Sequence, residues 1–504
     1  MAAPAHASRL AMPEPDARVL GNRAAIVADL GRLVGAGAVI DHPRAMRPFE
    51  SDALTAHAQL PLVVVLPATT AEVAAVLKYC HDNRIRVVPR GAGTSLSGGA
   101  LPLADGVLLG LGKLTRIREI DIANRCAVVE PGVTNLAITK AVEHLGFYYA
   151  PDPSSQIACT IGGNVAENSG GVHCLKYGLT TNNVLGAELV LVTGEVVRLG
   201  GKHLDAGGLD LLSVIIGSEG LLGVVTEVTV RLLRRPDTAR AVLLGFPTCE
   251  SAGDCVARII GAGIIPAGIE MMDKDAIAAA EAFVNVGYPL DVEALLIVEL
   301  DGPEAECAHL LEAVTGLAQA CGATTLRVSQ SEAERLGFWA GRKAAFPAVG
   351  RISPDYLCMD GTIPRRHLPV VLARMRELSR RHGLRVANVF HAGDGNLHPL
   401  ILYDANAPGE LAAAEAFGAD ILRLCVEVGG VLTGEHGVGV EKRDLMPEMF
   451  APVDLAQQQR LKCAFDPETL LNPGKVFPTL HRCAEMGAMH VSGGALPFPD
   501  LPRF

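Results

Sequence analysis

Apolar and polar positions along residues 62–88 follow a pattern that predicts strand, helix and strand. Residues 62–66 form a continuous apolar, largely β-branched run, which is typical of a buried strand. Thr69 and Glu72 have the spacing of a capping box, and the helix that starts there has one apolar face. That face consists of Val73, Val76, Leu77 and Cys80. Residues 85–88 predict the next strand, so the segment is expected to form a β-α-β unit.

Farther along the chain, strand patterns alternate with longer helical patterns. Strands are predicted at 241–246, 294–300 and 386–390, and helices at 251–262, 305–321, 368–380 and 411–428. This rhythm predicts an α+β arrangement, a split β-α-β sheet with helices on one face. A further helix is predicted at 24–34.

A glycine-rich loop at 89–99, Pro-Arg-Gly-Ala-Gly-Thr-Ser-Leu-Ser-Gly-Gly, follows the strand at 85–88. Glycine permits positive φ and a close approach of ligand to backbone, and successive free amides make an anion-binding nest. The loop is therefore either a pyrophosphate site or a mobile surface loop. Two more glycine clusters, at 151–171 and 217–225, favour a dinucleotide, because small residues let the backbone pack against a large planar ligand.

Composition narrows the function classes. The chain has 504 residues, 49% of them hydrophobic, and a net charge of −11 without a dense Lys/Arg block, which argues against nucleic acid as a partner. No apolar run reaches the roughly 20 residues of a membrane span, and no secretory signal is recognised. The 12 cysteines form no C-x-x-C pair, so the chain is not expected to hold an iron–sulfur cluster or a zinc ribbon. A cytoplasmic protein with reduced thiols is the simplest interpretation.

A second centre of chemistry lies at 390–398 and 434–437. His391 and His398 flank an Asp-Gly turn, and Glu435 and His436 stand in a glycine frame. Two imidazoles and a carboxylate are ligands for zinc, manganese or iron. The alternative is chance clustering, since the chain contains 15 histidines.

These two centres together suggest the oxidation of a 2-hydroxy acid. A flavin accepts a hydride, a metal lowers the pKa of the substrate hydroxyl, and a nearby histidine takes the proton. An arginine can bind the carboxylate in bidentate fashion. Arg342, on a predicted helix, is the first choice for that role and Arg351 the second; the alternative for Arg342 is a solvated helix charge.

The motifs together resemble those of the vanillyl-alcohol-oxidase-type FAD-binding flavoproteins. Within that group the chain is most similar to the D-2-hydroxy-acid dehydrogenases, and among these to the FAD-binding subunits of bacterial glycolate oxidases. The matching segments are 89–99, 151–171, 217–225, 391–398, 434–439 and 471–475, with 350–364 and 480–485 typical of the glycolate oxidase subunits.

The resemblance implies a two-subdomain FAD-binding domain of the p-cresol-methylhydroxylase type and a ferredoxin-like α+β cap domain. The implied divisions are a helical segment at 1–57, the FAD domain at 58–236, the cap or substrate domain at 237–460, and a segment returning to the FAD domain at 461–504. The residues implied to contact FAD are Pro89, Arg90, Gly91, Ala92, Gly93, Thr94, Ser95, Gly98, Gly99, Pro151, Asp152, Ser154, Gly162, Gly163, Asn164, Ala166, Asn168, Gly170, Gly171, Gly220, Gly223, Val224, Val225 and Asn472.

In the family's pattern the histidine centre has defined roles. His391, His398 and Glu435 would bind a divalent metal, with zinc the first choice and manganese or iron the alternatives. His436 would be the base, and Asn396 would lie close to the substrate.

Two departures from the family refine the prediction. Some members attach FAD through a histidine in the first glycine loop, and this loop has none, so non-covalent FAD is expected. Relatives that act on larger diacids carry a lysine where Cys358 stands, which favours a small acid.

The resulting hypothesis is oxidation of glycolate and D-lactate to the 2-oxo acid, with electrons passed to partner subunits or a quinone. One expected partner carries iron–sulfur clusters, and attachment to the inner face of the membrane would be peripheral, through partners. The alternatives are a stand-alone D-lactate or D-2-hydroxyglutarate dehydrogenase, a metal-dependent hydrolase without flavin, and a non-catalytic flavin subunit.

Overall fold

Three β-sheets and a two-stranded ribbon organise the protein in a computed structural model, which describes residues 10–203 and 207–478. The first sheet, ordered β1-β2-β4-β3, contains β1 (Val39–Ile40), β2 (Val63–Val65), β3 (Arg86–Arg90) and β4 (Gly106–Gly110). The second, ordered β5-β6-β10-β8-β9, contains β5 (Ile117–Asp121), β6 (Cys126–Val129), β8 (Val184–Val190), β9 (Val196–Gly200) and β10 (Val224–Arg231). The ribbon pairs β7 (Phe147–Tyr148) with β11 (Leu233–Arg234).

The third sheet has seven strands in the order β15-β12-β14-β13-β17-β18-β16. Its strands are β12 (Thr238–Phe246), β13 (Gly268–Asp273), β14 (Ala294–Gly302), β15 (Thr325–Val328), β16 (Asp355–Cys358), β17 (Val386–Phe390) and β18 (Pro399–Tyr403).

The helices fill the intervals between strands. Those before the third sheet are α1 (Ala17–Gly21), α2 (Arg23–Val34), α3 (Pro43–Met46), α4 (Thr70–Asp82), α5 (Asn135–Val142), α6 (Ile161–Glu167), α7 (Cys174–Tyr177), α8 (Thr180–Asn183) and α9 (Leu211–Ile215). Those after its first strand are α10 (Cys249–Gly261), α11 (Lys274–Val284), α12 (Glu304–Ala320), α13 (Glu332–Val349), α14 (Leu368–His382), α15 (Glu410–Glu427), α16 (Met446–Met449) and α17 (Pro452–Phe465).

The first sheet confirms the predicted β-α-β unit. Thr69 caps α4 by accepting a hydrogen bond from the Glu72 amide, and the predicted apolar face of this helix is buried. β2 and β3 both run parallel to β4, which lies between them. The glycine loop therefore leaves the carboxyl end of a strand, where an α/β sheet usually binds its ligand.

The third sheet corrects one prediction. Its strands are antiparallel, and helices cover both faces rather than one. Val242, Leu244 and Phe246 pack with α10, α12, α14 and α15, whereas Ala241 and Leu243 pack with α11 and α13. Strands buried on both faces are continuously apolar, as in 294–300, and that pattern was available in the sequence.

The chain returns to the first sheet after α17. Leu471 forms a parallel bridge with Val87, and the Asn472 amide donates to the Val87 carbonyl. The predicted division at residue 460 falls inside α17, so it does not mark the end of an element. The division at 236–237 falls between β11 and β12. The motif at 480–485 lies outside the described residues.

A buried ion pair holds this returning segment. Lys462 Nζ contacts Asp466 Oδ2 at 2.5 Å and donates to the carbonyls of Leu221 and Leu471, and Asp466 also accepts from the amides of Leu470 and Leu471. Because both side chains are at most 5% exposed, each charge depends on the other.

We expect Asp466→Ala to lower the free energy of unfolding by about 3–5 kcal/mol, since it leaves the Lys462 ammonium buried without its carboxylate. Denaturant unfolding measures the change. Glu468→Gln is the control, because Glu468 is 43% exposed and lies 3.8 Å from Arg84; it should cost at most about 1 kcal/mol. Equal losses in the two variants would contradict the assignment.

Candidate active site

A cavity of about 470 Å³ lies between the glycine loops of the first two sheets on one side and helix α13 and strand β16 on the other. We call it the first cavity. Many of the predicted FAD contacts line it: Pro89, Arg90, Gly91, Ala92, Gly93, Thr94, Ser95, Gly99, Ser154, Gly162, Gly163, Asn164, Ala166, Gly220, Gly223, Val224 and Val225. The three glycine clusters, separated by up to 136 positions in sequence, therefore form one surface.

The cavity has the polar groups that a dinucleotide needs. Thr160 Oγ1 and Glu167 Oε2 are buried at its wall without a hydrogen-bond partner among the residues that the structure describes. Burial, together with the nearby Glu219 carboxylate, raises the pKa of Glu167 well above its usual value. At Gly91, a Cβ would lie 2.5 Å from Thr160 Oγ1, so the loop requires glycine there. The residues present fit a large ligand with phosphate and ring acceptors.

Other predicted FAD residues lie outside this cavity. Asn472 is 2% exposed, and its amide nitrogen donates to the carbonyls of Gly99 and Glu219. Asp152 binds His173 through two hydrogen bonds. Gly98, Pro151 and Asn168 also lie outside the lining, whereas Gly170 and Gly171 line a second cavity of about 470 Å³. Among these residues, Asn472 supports the glycine loops through its bonds to the Gly99 and Glu219 carbonyls. Turn-forming residues that support a loop have the same sequence pattern as those that contact a ligand.

The predicted metal ligands converge. Glu435 Oε1 lies 3.2 Å from His391 Nε2 and 3.2 Å from His398 Nε2. All three side chains are at most 9% exposed. Ligand atoms around a tetrahedral zinc at about 2.0–2.2 Å are about 3.3 Å apart, so the donor set and its spacing fit a divalent cation.

The cluster is strongly polarised. Burial alone would raise the pKa of Glu435, but hydrogen bonds with His391 and His398 hold it well below its usual value. Burial would lower the pKa of His391, but Glu270 and Glu435 raise it well above the usual value. The electrostatic field of the site is therefore one that favours positive charge between these side chains.

His436 lies beside the cluster and lines the first cavity, which the glycine loops form. Its ring stacks on His398 with centroids 4.8 Å apart. Burial, opposed by the Asp360 charge, lowers the pKa of His436 to about 4, so the imidazole is neutral near pH 7 and can accept a proton. His398, Glu435 and His436 line the same cavity as the glycine loops, and His391 and Glu435 line the second one.

The arginine predictions are corrected by the structure. Arg342 is 1% exposed, and its Nε and Nη2 lie 2.8 and 2.7 Å from Glu270 Oε2. Glu270 Oε1 in turn lies 2.7 Å from His391 Nδ1. Arg342 therefore supports a predicted metal ligand from behind and does not line the cavity. Arg351 donates to the Ala282 carbonyl and lies over the Phe283 ring, also away from the cavity.

The cap side of the cavity is formed by residues that sequence reasoning did not select: Lys343, Phe346, Pro347 and Tyr356. Asn396 is buried beside His398, with its Nδ2 3.4 Å from His398 Nε2, and it lines the second cavity. Cys358 is 4% exposed and does not line the first cavity.

Three carboxylates of the site were also missed. Glu219 accepts from the amides of Val438 and Gly439, Glu270 holds His391, and Asp360 lies with His398, Glu435 and His436 in a group whose ligand atoms are within 4.8 Å of one another. Glu270 had a usable signal, because it is the one charged residue in the interior of an apolar strand, where Asp273 is the last residue. Nothing in the sequence distinguishes Glu219 and Asp360 from other acidic residues, and their place in the site follows only from the contacts in the folded structure.

The chain matches two protein-family models, "FAD binding domain" at residues 61–200 and "FAD linked oxidases, C-terminal domain" at 235–476. It is 58% identical to glycolate oxidase subunit GlcD of Escherichia coli K12, over 91% of this chain and 92% of that protein. It is 36% identical to glycolate oxidase subunit GlcD of Bacillus subtilis and 33% identical to a D-lactate dehydrogenase of Archaeoglobus fulgidus, each over 92% of the relative and 85% and 83% of this chain.

Solved structures share the fold. The 4-ethylphenol oxidase of Gulosibacter chungangensis superposes with a TM-score of 0.77 at 18% identity, over 92% of this chain and 98% of that one. p-Cresol methylhydroxylase superposes with a TM-score of 0.76, also at 18% identity, over 90% and 97%. The predicted fold class is confirmed. A hydrolase without flavin is not supported, since both family models describe FAD enzymes.

A glycine next to His436 yields a prediction. Gly437 has φ +82°, and a Cβ there would collide with Glu167 Oε2 and lie 3.0 Å from the Glu219 carboxyl carbon. Gly429 has φ +86°, and no atom of the described residues lies within 4 Å of a Cβ there. Because the two φ angles are alike, alanine at either position incurs the same backbone strain. We expect Gly429→Ala to cost about 1–2 kcal/mol of unfolding free energy and Gly437→Ala about 1–3 kcal/mol more. Equal losses in denaturant unfolding would show that the carboxylates do not restrict this position.

Proposed function

Because this chain belongs to the family of FAD-linked oxidases, we propose that it oxidises glycolate, and also D-lactate, to the 2-oxo acid with FAD as the hydride acceptor. The observation that carries the proposal is the shared cavity. The glycine loops line one part of it, and His398, Glu435 and His436 line another. A substrate between them would meet a hydride acceptor on one side and a proton acceptor on the other.

FAD would be held by the glycine loops at 89–99 and 160–169 and by 218–225. When bound, it supplies the acceptor for the hydride that leaves C2 of the substrate. Since the loop at 89–99 contains no histidine, we infer that attachment is non-covalent. Acid precipitation of the purified protein would then release all of the flavin into the supernatant.

A divalent metal, zinc in our proposal, would be held by His391, His398 and Glu435. Its charge would favour the alkoxide form of the substrate hydroxyl. The carboxylate of Glu270 fixes the tautomer of His391 by accepting from Nδ1, and Arg342 fixes Glu270. Arg342 is thus assigned as a positioning residue.

His436 is proposed as the base. Its Nε2 lies 3.9 Å from Glu435 Oε1, and this short distance to a proposed metal ligand supports the proposal. A neutral imidazole there accepts the hydroxyl proton as C2 becomes a carbonyl carbon.

Lys343 is proposed to attract the substrate carboxylate in place of Arg342. On α13 it follows Arg342 by one residue, so it points about 100° around the helix axis and lines the cavity. It forms no ion pair among the residues that the structure describes. Phe346 and Tyr356 form an aromatic wall next to it, with Phe346 edge-on to His398 at 6.1 Å, and this wall favours a small acid.

The electron acceptor is proposed to be a partner subunit. The relatives at 58% and 36% identity are each called a subunit, and an iron–sulfur partner would fit the absence of C-x-x-C pairs here. No helix among the described residues is long and apolar enough to cross a membrane, so peripheral attachment would depend on partners. A stand-alone D-lactate dehydrogenase is the second candidate, because two relatives at 33% identity have that name.

The first test is anaerobic mixing of the flavin-loaded protein with glycolate, D-lactate and L-lactate. Glycolate and D-lactate should bleach the visible flavin absorption, and L-lactate should not. His436→Gln should slow bleaching by about 10²–10⁴-fold, and His309→Gln, an exposed control on α12, should leave it unchanged. A protein that takes up no FAD, or FAD that none of the acids bleaches, would refute the proposed function.

The second test addresses the metal. Glu270→Gln should weaken divalent-metal affinity by about 10–100-fold, because His391 loses the carboxylate that orients it. Chelator competition measures this affinity. Glu293→Gln removes an exposed carboxylate paired with Lys274 and should have no effect. Metal binding that is unchanged in both variants would exclude His391 as a ligand oriented by Glu270.

The third test addresses Lys343. Lys343→Gln should raise KM for glycolate by about 3–10-fold with kcat retained, since the charge acts on binding of the anion. Lys343→Arg should restore most of the affinity. Lys140→Gln, which alters an exposed pair with Glu143 on α5, is the control. An unchanged KM in Lys343→Gln would show that another group receives the carboxylate.

A further inference from the structure

The side chain of Asp360 is completely buried two residues beyond the end of β16. It accepts hydrogen bonds from one continuous stretch of backbone. Asp360 Oδ2 lies 3.0 Å from the Gly434 amide nitrogen, 3.2 Å from that of Glu435 and 2.8 Å from that of His436. The Thr433 hydroxyl donates to the same oxygen. Three successive amides that point at one carboxylate form an anion nest built by the chain itself.

The second oxygen of Asp360 has fewer donors. Oδ1 lies 3.3 Å from the Glu435 amide nitrogen and 3.4 Å from His398 Nε2. Lys442 Nζ, fully buried, lies 3.6 Å from Oδ2 and balances part of the charge. An oxygen of an ionised carboxylate accepts about two hydrogen bonds, and the Thr433 hydroxyl and the amides at 434–436 more than fill Oδ2. The carboxylate is close enough to the cluster to be a fourth metal ligand, but its Oδ2 is committed to this segment of the chain.

We propose that Asp360 is the positioning residue that sets the directions of Glu435 and His436, and that it is not a metal ligand. The inference rests on the proposed roles of those two residues. Binding of the amides at 434, 435 and 436 fixes the backbone on both sides of Glu435. Glu435 is thereby directed towards His391 and His398, and His436 towards the first cavity.

The other side of the same segment is held by the FAD-binding half of the chain. Ser97 Oγ donates to the His436 carbonyl at 2.9 Å, and Glu219 accepts from the amides of Val438 and Gly439 at 2.7 Å each. Asp360, which follows strand β16 of the third sheet, binds the same segment from the opposite side. Glu435 and His436 are therefore positioned relative to both the third sheet and the glycine loop at 89–99.

Asp360→Asn tests the proposal. Asparagine keeps the shape but replaces one acceptor oxygen with an NH₂ group that faces amide donors. We expect kcat with glycolate to fall by about 100-fold, with KM changed by less than about threefold. Metal affinity in chelator competition should fall by about 10–100-fold, as in Glu270→Gln, because Glu435 loses the carboxylate that directs it. FAD content should be unchanged. Amide hydrogen exchange should accelerate at 434–436 and not elsewhere. Asp355→Asn, at the start of the same strand, is the matched control.

Each other outcome is decisive. A loss of metal affinity without faster exchange at 434–436 in Asp360→Asn would make Asp360 a ligand and overturn the proposal, as would unchanged kcat together with unchanged exchange. If this variant does not fold, Thr433→Val removes one donor of the nest, and unchanged exchange at 434–436 in that variant overturns the proposal. Hydrogen exchange does not depend on turnover. If the unsubstituted protein oxidises no hydroxy acid, the proposed function fails, and exchange still decides whether Asp360 holds the segment.

Discussion

A carboxylate buried away from water is costly unless donors surround it, and four such carboxylates determine how this protein is put together around its cavity. Asp360, Glu219, Glu270 and Glu435 are each at most 9% exposed. Each is compensated by groups from a different part of the chain. Because the donors are distant in sequence, the charges are neutralised only when the sheets and loops have assembled, so the site and the fold form together.

The segment 433–439 shows the consequence. It is bound by Asp360, beside the third sheet, and by Ser97 and Glu219, which belong to the part of the chain that forms the first two sheets. One short stretch of backbone therefore transmits the position of each half to the other. In the proposed reaction a hydride acceptor and a proton acceptor would meet beside this segment, and hydrogen bonds from both sides fix its backbone there.

Arg342 shows that a motif can locate a residue on the right helix without determining which way its side chain faces. The residue is on the expected helix and belongs to the site, but its guanidinium is buried against Glu270, and Lys343 faces the cavity instead. A helix turns by about 100° per residue, so neighbouring cations have different environments. Which of the two faces the ligand depends on how the helix packs, and Glu270, the residue that decides it, is 72 positions away.

The sequence by itself determined the elements and the chemistry that local patterns encode. Apolar periodicity predicted α4 and the strands beside it, glycine density predicted a dinucleotide surface, and the spacing of His391, His398 and Glu435 predicted a metal site whose atoms do converge. Only the tertiary structure decided which predicted residues face the cavity and which support it. It also decided that helices cover both faces of the third sheet and that Asp360 accepts hydrogen bonds from the backbone amides at 434–436. The reason is physical: burial and hydrogen-bond partners depend on contacts between distant segments, and no local pattern records them.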